Sequence, residues 1–78
     1  MNRLNLRELP APEPLLQALA AADALEAGQQ VEVLTPLLPT PLLEGLAARG
    51  LHWQTEACAD GGVRVVIQRP ATDGQALD

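Results

Sequence analysis

Hydrophobic and polar positions alternate at the start of the chain, where Leu4 and Leu6 flank Asn5, and the alternation stops at Arg7-Glu8-Leu9-Pro10. A period of two predicts a short first strand followed by a loop. The period then changes. Leu15, Leu16, Leu19, Ala22 and Leu25 recur at helical spacing, the stripe of an amphipathic helix. Pro12 and Pro14 fall in its first turn, where backbone N–H groups have no intrahelical partner and proline costs little. Glu13 suits the positive end of the helix dipole, and Gly28 is expected to end the helix as a left-handed cap. Val31-Glu32-Val33-Leu34 is a β-branched, partly alternating run that predicts a second strand. It lies parallel to the first, because a helical crossover separates them.

Thr35-Pro36-Leu37-Leu38-Pro39-Thr40-Pro41 reads as a stiff connector. Thr40 is expected to cap a second helix and Pro41 to be its first residue. Leu42, Leu43, Leu46 and Ala47 give that helix a buried face, and Gly50 ends it. From Leu51 to Ala57 the odd positions Leu51, Trp53, Thr55 and Ala57 alternate with His52, Gln54 and Glu56, as in a half-buried strand. Asp60-Gly61-Gly62 predicts a hairpin turn. Val63, Val65 and Ile67 then face the core, with Arg64, Val66 and Gln68 on the other side. No internal repeat is expected, and after Pro70 the periodicity is lost. The sum is an α/β two-layer sandwich of order β-α-β-α-β-β, a mixed four-stranded sheet with two helices on one face. A single domain is expected over residues 1–69, with a flexible C-terminal tail over 70–78.

Composition narrows the possibilities. Seventy-eight residues suffice for one small core. Hydrophobic residues make up 47% of the chain but Trp53 is its one aromatic, so the core is expected to be Leu, Val, Ile and Ala. Five arginines, Arg3, Arg7, Arg49, Arg64 and Arg69, stand against ten acidic residues, for a formal charge of -5 with no lysine. Scattered single arginines in an acidic chain do not make the basic stripe that nucleic acid requires. One cysteine cannot form an intramolecular disulfide, so a cytoplasmic protein is expected. The first residues hold no apolar run suited to a signal peptide, and nowhere do enough apolar residues run together to span a membrane.

Candidate chemistry is sparse. His52 has no second histidine or cysteine at metal-ligand spacing, so no metal and no cofactor are expected. Glu44 and Glu56, or Glu8 and Glu13, read as surface charge rather than paired catalytic carboxylates, because so short a chain has little room for a pocket that shifts one pKa. There is no Gly-rich phosphate loop and no Ser/His/Asp set. Cys58 is the only thiol, and its neighbours Glu56 and Asp60 oppose thiolate formation.

The segment Leu4-Asn5-Leu6-Arg7-Glu8-Leu9-Pro10-Ala11-Pro12-Glu13-Pro14-Leu15 resembles the signature of the TusA/SirA sulfur-carrier superfamily. There a strand of the form Leu-Asp-x-Arg-Gly-Leu precedes x-Cys-Pro-x-Pro-Leu at the first helix start. Arg7, Leu9, Pro12, Pro14 and Leu15 match, and the predicted element order agrees with the family fold over about residues 3 to 69. The resemblance implies sulfur carriage by a thiolate at the helix start, but Ala11 stands where the family has its cysteine, Glu8 where it has glycine and Asn5 where it has aspartate. A methyl group cannot hold a transferable sulfur. The chain therefore looks most like an uncharacterised bacterial branch that keeps Pro-Glu-Pro-Leu without the cysteine, and Leu43 to Gly50 followed by Trp53 also resembles that branch.

These readings lead to an expected non-enzymatic module that docks to an unidentified protein partner. Its surface would comprise Arg7, Ala11, Pro12, Glu13 and Pro14, from the Arg7 to Leu16 segment, with Glu32, His52, Gln54, Arg64 and Val66 on the open sheet face. The acidic balance suits a basic patch on that partner. The alternative is a sulfur-transfer or redox carrier that uses Cys58. An exposed strand edge allows a monomer or a weak homodimer.

Overall fold

Pairs of prolines open both helices and glycines close the turns, so that six elements follow in order: β1 (Asn2–Asn5), α1 (Glu13–Asp23), β2 (Gln30–Thr35), α2 (Thr40–Ala48), β3 (His52–Ala57) and β4 (Val63–Gln68). This computed structural model describes residues 2–37 and 39–71, so most of the expected tail, 72–78, lies outside the described residues. The four strands form one mixed sheet in the order β1-β2-β4-β3. β1 runs parallel to β2, while β4 is antiparallel to both β2 and β3. The element order and the parallel first pair are as the sequence predicts, and β4 lies between β2 and β3.

The core is aliphatic. Val31 and Val33 of β2, Val65 and Ile67 of β4, Ala18 and Ala22 of α1, and Leu42 and Leu46 of α2 are buried together with Leu6 and Leu51. Alanines on the sheet-facing side of α1 let its backbone approach closely, while Leu15, Leu19 and Leu25 pack around them half-buried. Leu16 departs from the predicted stripe and is 54% exposed. The helices meet at Gly45, where a Cβ would lie 2.9 Å from Leu19 Cδ2, and Arg49 Nε donates to Asp23 Oδ1 across the same interface at 2.7 Å.

Two boundaries and one burial pattern differ from the sequence reading. α1 ends at Asp23, and Gly28 is not its cap: with φ +86° it sits in the following turn, its N–H bonded to the Arg69 carbonyl at 2.8 Å. Thr40 is the first residue of α2 rather than its cap. Pro39 holds the cap position, and no side chain caps it. On β3 the expected alternation fails after Trp53, and Thr55 and Ala57 are exposed, because β3 is an edge strand and α2 covers only its beginning. Gly50 does end α2 as predicted. Gly50 N–H bonds to the Ala47 carbonyl and Leu51 N–H to the Leu46 carbonyl, each at 3.0 Å, a Schellman closure that also brings buried Leu46 and Leu51 together. Among the described residues no helix is long and apolar enough to cross a membrane.

Candidate functional site

β1, β2 and β3 all end at the same pole of the sheet, and the loops that leave them gather there with the starts of both helices. Between those starts lies a groove of about 420 Å³. One wall is Ala11, Pro12, Pro14 and Leu15 from the start of α1; the other is Thr35, Pro36, Leu37, Pro39, Pro41 and Leu42 from the end of β2 and the start of α2. Five of the seven prolines of the chain are among these residues. Pro12, Pro14, Pro39 and Pro41 are tolerated at the helix starts because first-turn N–H groups have no intrahelical acceptor, and Pro36 lies in the connector after β2. Their lack of donors also leaves the groove mouth with little to offer an anion, in contrast to an ordinary helix N-terminus. The Ala11–Pro12 peptide is cis.

Among the described residues the lining carries no ionisable side chain. Its one polar side chain, Thr35, is buried, and its hydroxyl donates to the Leu37 carbonyl at 2.8 Å. Leu37, on the groove wall, is 77% exposed, and Leu16, on the first turn of α1, is 54% exposed. Such a surface can hold apolar side chains; it presents no acid, base or nucleophile to a substrate.

Of the residues picked out from the sequence, Ala11, Pro12 and Pro14 line this groove. Glu13 is exposed on the first helical turn beside it. Arg7 does not line it. Its Nη1 donates to Asp60 Oδ1 at 2.8 Å and to the Gly61 carbonyl at 3.0 Å, while its Nε donates to Asn5 Oδ1 at 3.1 Å. Arg7 thus braces the end of β1 against the β3–β4 turn, with its aliphatic stem over Gly62. Cys58 is half-buried at the start of that turn and is not among the groove residues.

Glu32, His52, Gln54, Arg64 and Val66 do share the open face of the sheet, away from the groove. Glu32, expected to be exposed there, is buried. It lies on central β2, and arginines from the strands on either side reach over it: Arg3 Nη2 donates to its Oε2 at 3.1 Å and Arg64 Nε donates to the same oxygen. Arg64 also donates to Glu56 at 3.0 Å. The hydrogen bond from Arg3 and then that from Arg64 hold the Glu32 carboxyl below the usual carboxylate range.

The second wall of the groove has a sequence signal that contradicts the expectation of no internal repeat. Pro12-Glu13-Pro14-Leu15-Leu16 and Pro39-Thr40-Pro41-Leu42-Leu43 are two copies of Pro-x-Pro-Leu-Leu. Each opens a helix, and the fold turns the two toward each other.

Comparison with known proteins agrees with this geometry. A family model described as an uncharacterized conserved protein, DUF2249, matches residues 3–69. The crystal structure of a SirA-like protein from Desulfitobacterium hafniense aligns with a TM-score of 0.72 at 24% identity, covering 86% of this chain and 95% of that one. That likeness is one of fold. No curated protein matches the chain.

Proposed function

The chain belongs to the DUF2249 family and has the SirA-like fold, and from that premise we propose that it is a non-enzymatic docking module whose groove receives an apolar segment of a partner protein flanked by basic residues. The observation that carries this reading is the pairing of the two Pro-x-Pro-Leu-Leu helix starts around a groove with no ionisable lining. At Ala11 the methyl group extends the apolar wall and holds no sulfur. The apolar groove wall with exposed Leu37 on it, and exposed Leu16 on the adjoining helical turn, support an interaction site.

Charge supports the basic flanks. All five arginines are held within the chain: Arg3, Arg7, Arg49 and Arg64 by carboxylates and Arg69 by the Ala22 carbonyl. Glu8, Glu13, Glu26 and Glu44 make no ion pair among the described residues. Glu13 and Glu44 lie on the two helices whose starts form the groove. The uncommitted charge around it is therefore negative, and it favours encounter with a positive partner. The single thiol, which can form no intramolecular disulfide, supports a reducing compartment such as the cytosol.

Selection from a display library of random peptides tests the proposal. Enriched peptides are expected to carry an apolar residue between Lys or Arg, and to bind a Leu37→Asp variant at least about tenfold more weakly, as loss of an energetically important contact does. Peptides without that pattern, or peptides that bind Leu37→Asp as well as the wild type, overturn it.

A further inference from the structure

β3 is an edge strand, and among the described residues no strand pairs with its outer side. β3 has six residues, His52–Ala57, with no proline among them and Glu56 as their one acidic side chain. Sheet edges of soluble proteins are ordinarily blunted by proline, by several charges or by bulges. The other edge, β1, has only four residues.

The hydrogen-bond phase fixes which backbone groups of β3 are unused. Cys58 N–H bonds to the Gly62 carbonyl at 3.0 Å, one rung beyond the Ala57–Val63 pair in the ladder. In antiparallel pairs inward and outward residues alternate. Glu56, Gln54 and His52 therefore direct their N–H and C=O groups toward β4, and Ala57, Thr55 and Trp53 direct theirs outward.

A second copy of β3, laid antiparallel along this edge, must match outward residue with outward residue. Only a two-fold axis passing at a residue does so; an axis between residues sets an outward group against an inward one. Centred on Gln54, the pairing joins Trp53 to Thr55 of the second copy through backbone bonds, twice over. The same axis sets His52 opposite Glu56 of the second copy, also twice. These are the non-hydrogen-bonded positions, where side chains of facing strands come closest. An imidazole N–H then meets a carboxylate acceptor at each end. Centred on Trp53 or Thr55, the strand gives His52 and Glu56 no such partners.

We infer that the protein forms a two-fold homodimer through antiparallel β3–β3 pairing centred on Gln54, which makes one continuous eight-stranded sheet and leaves both grooves free. On the helix-side face, Thr55 of each copy covers the half-exposed Trp53 of the other, beside the shallow depression formed by Ala47, Leu51, His52 and Trp53.

Sedimentation equilibrium from low-micromolar to millimolar protein, read alongside Trp53 emission, tests this. Trp53 is the sole Trp in a chain with no Tyr or Phe, so its emission reports on this edge alone. The wild type is expected to approach twice the monomer mass as concentration rises, with Trp53 emission moving to shorter wavelength. Thr55→Pro removes an outward N–H while sparing the β3–β4 ladder, and is expected to stay monomeric. His52→Glu faces Glu56 with a like charge at both ends and is expected to weaken association at least about fivefold. In a Cys58→Ser background, Gln54→Cys is expected to form an intermolecular disulfide on mild oxidation and Thr55→Cys is not, because only position 54 meets itself across the axis. A wild type that stays monomeric throughout, a His52→Glu variant that associates as the wild type does, or cross-linking at 55 in preference to 54 overturns the inference.

Discussion

Arg7 Nη1 stands 2.8 Å from Asp60 Oδ1, joining the end of β1 to the β3–β4 turn across the groove pole of the sheet. The two partners are not equal. The Arg7 side chain is 22% exposed and serves three acceptors, whereas Asp60 is 73% exposed. Removing the Arg7 side chain takes away its bonds to Asn5, Asp60 and Gly61 together, leaving Asn5 Oδ1 only the Arg7 backbone N–H at 3.2 Å; Asp60→Asn removes the charge but keeps an oxygen acceptor at the same place. Arg7→Leu is therefore expected to lower the melting temperature more than Asp60→Asn, as read by thermal denaturation followed by circular dichroism.

Acid should weaken the fold through Glu32. Its carboxyl is held below its ordinary value of 4.5 by Arg3 and Arg64, so the folded state binds its proton less readily than the unfolded state does. The stability this contributes is complete above the ordinary value and is lost as pH falls through the lower, folded one. Asp23 beside Arg49 and Asp60 beside Arg7 act in the same direction. Denaturant midpoints measured from pH 6 downward should decline in the acid range, and Glu32→Gln should make that decline shallower.

Two glycines with nearly the same positive φ should respond differently to alanine. Gly28, at φ +86°, has open space where a Cβ would go, so Gly28→Ala should cost only the left-handed backbone penalty, about 1 kcal/mol. Gly62, at φ +87°, would place its Cβ in conflict with the Thr35 carbonyl oxygen and 2.9 Å from Arg7 Cδ. Gly62→Ala should cost at least about 2 kcal/mol, since a backbone clash adds to the strain. Urea unfolding of the two variants gives the comparison directly.

Much of this architecture is legible in the chain, because its punctuation is local. Pro12 and Pro14 mark the start of α1, Gly50 the end of α2 and Asp60-Gly61-Gly62 the hairpin, each through a property of one or two residues. Gly28 misleads because a left-handed glycine serves a helix cap and a free turn equally well. Glu32 misleads for a different reason. Its burial comes from Arg3 and Arg64 on the neighbouring strands, and those neighbours follow from the β1-β2-β4-β3 order, which no single strand encodes. The wall of the groove contributed by Ala11, Pro12 and Pro14 is visible in the first motif. The opposing wall depends on two helix starts meeting, a long-range relation that the repeated Pro-x-Pro-Leu-Leu hints at but does not specify.

Leu42 and Leu37 stand at the two extremes of the groove, one fully buried and one mostly in water. Leu42→Ala should destabilise by about 2–5 kcal/mol, the usual cost of emptying a core leucine site. Leu37→Ser should change stability by no more than about 0.5 kcal/mol while reducing peptide binding. Chemical denaturation and peptide titration of the same two proteins separate folding from recognition.

Cys58 and position 11 can be compared in one molecule. Cys58 is half-buried at a turn, and Ala11 is exposed. In an Ala11→Cys variant, alkylation at position 11 should proceed several-fold faster than at Cys58, and the native Cys58 should react no faster than a thiol in an unfolded peptide. Rates resolved by peptide mass mapping decide the matter; a rapidly alkylated Cys58 would revive a carrier role for it.

The strand directions separate the two ends of the molecule. β1 begins at Asn2 and β4 finishes at Gln68 on the pole opposite the groove, where Arg69 reaches the last turn of α1. A handle joined near either of those residues would depart from the rear, so a surface-tethered or tandem-fused copy should present both helix openings unobstructed to whatever approaches from solution.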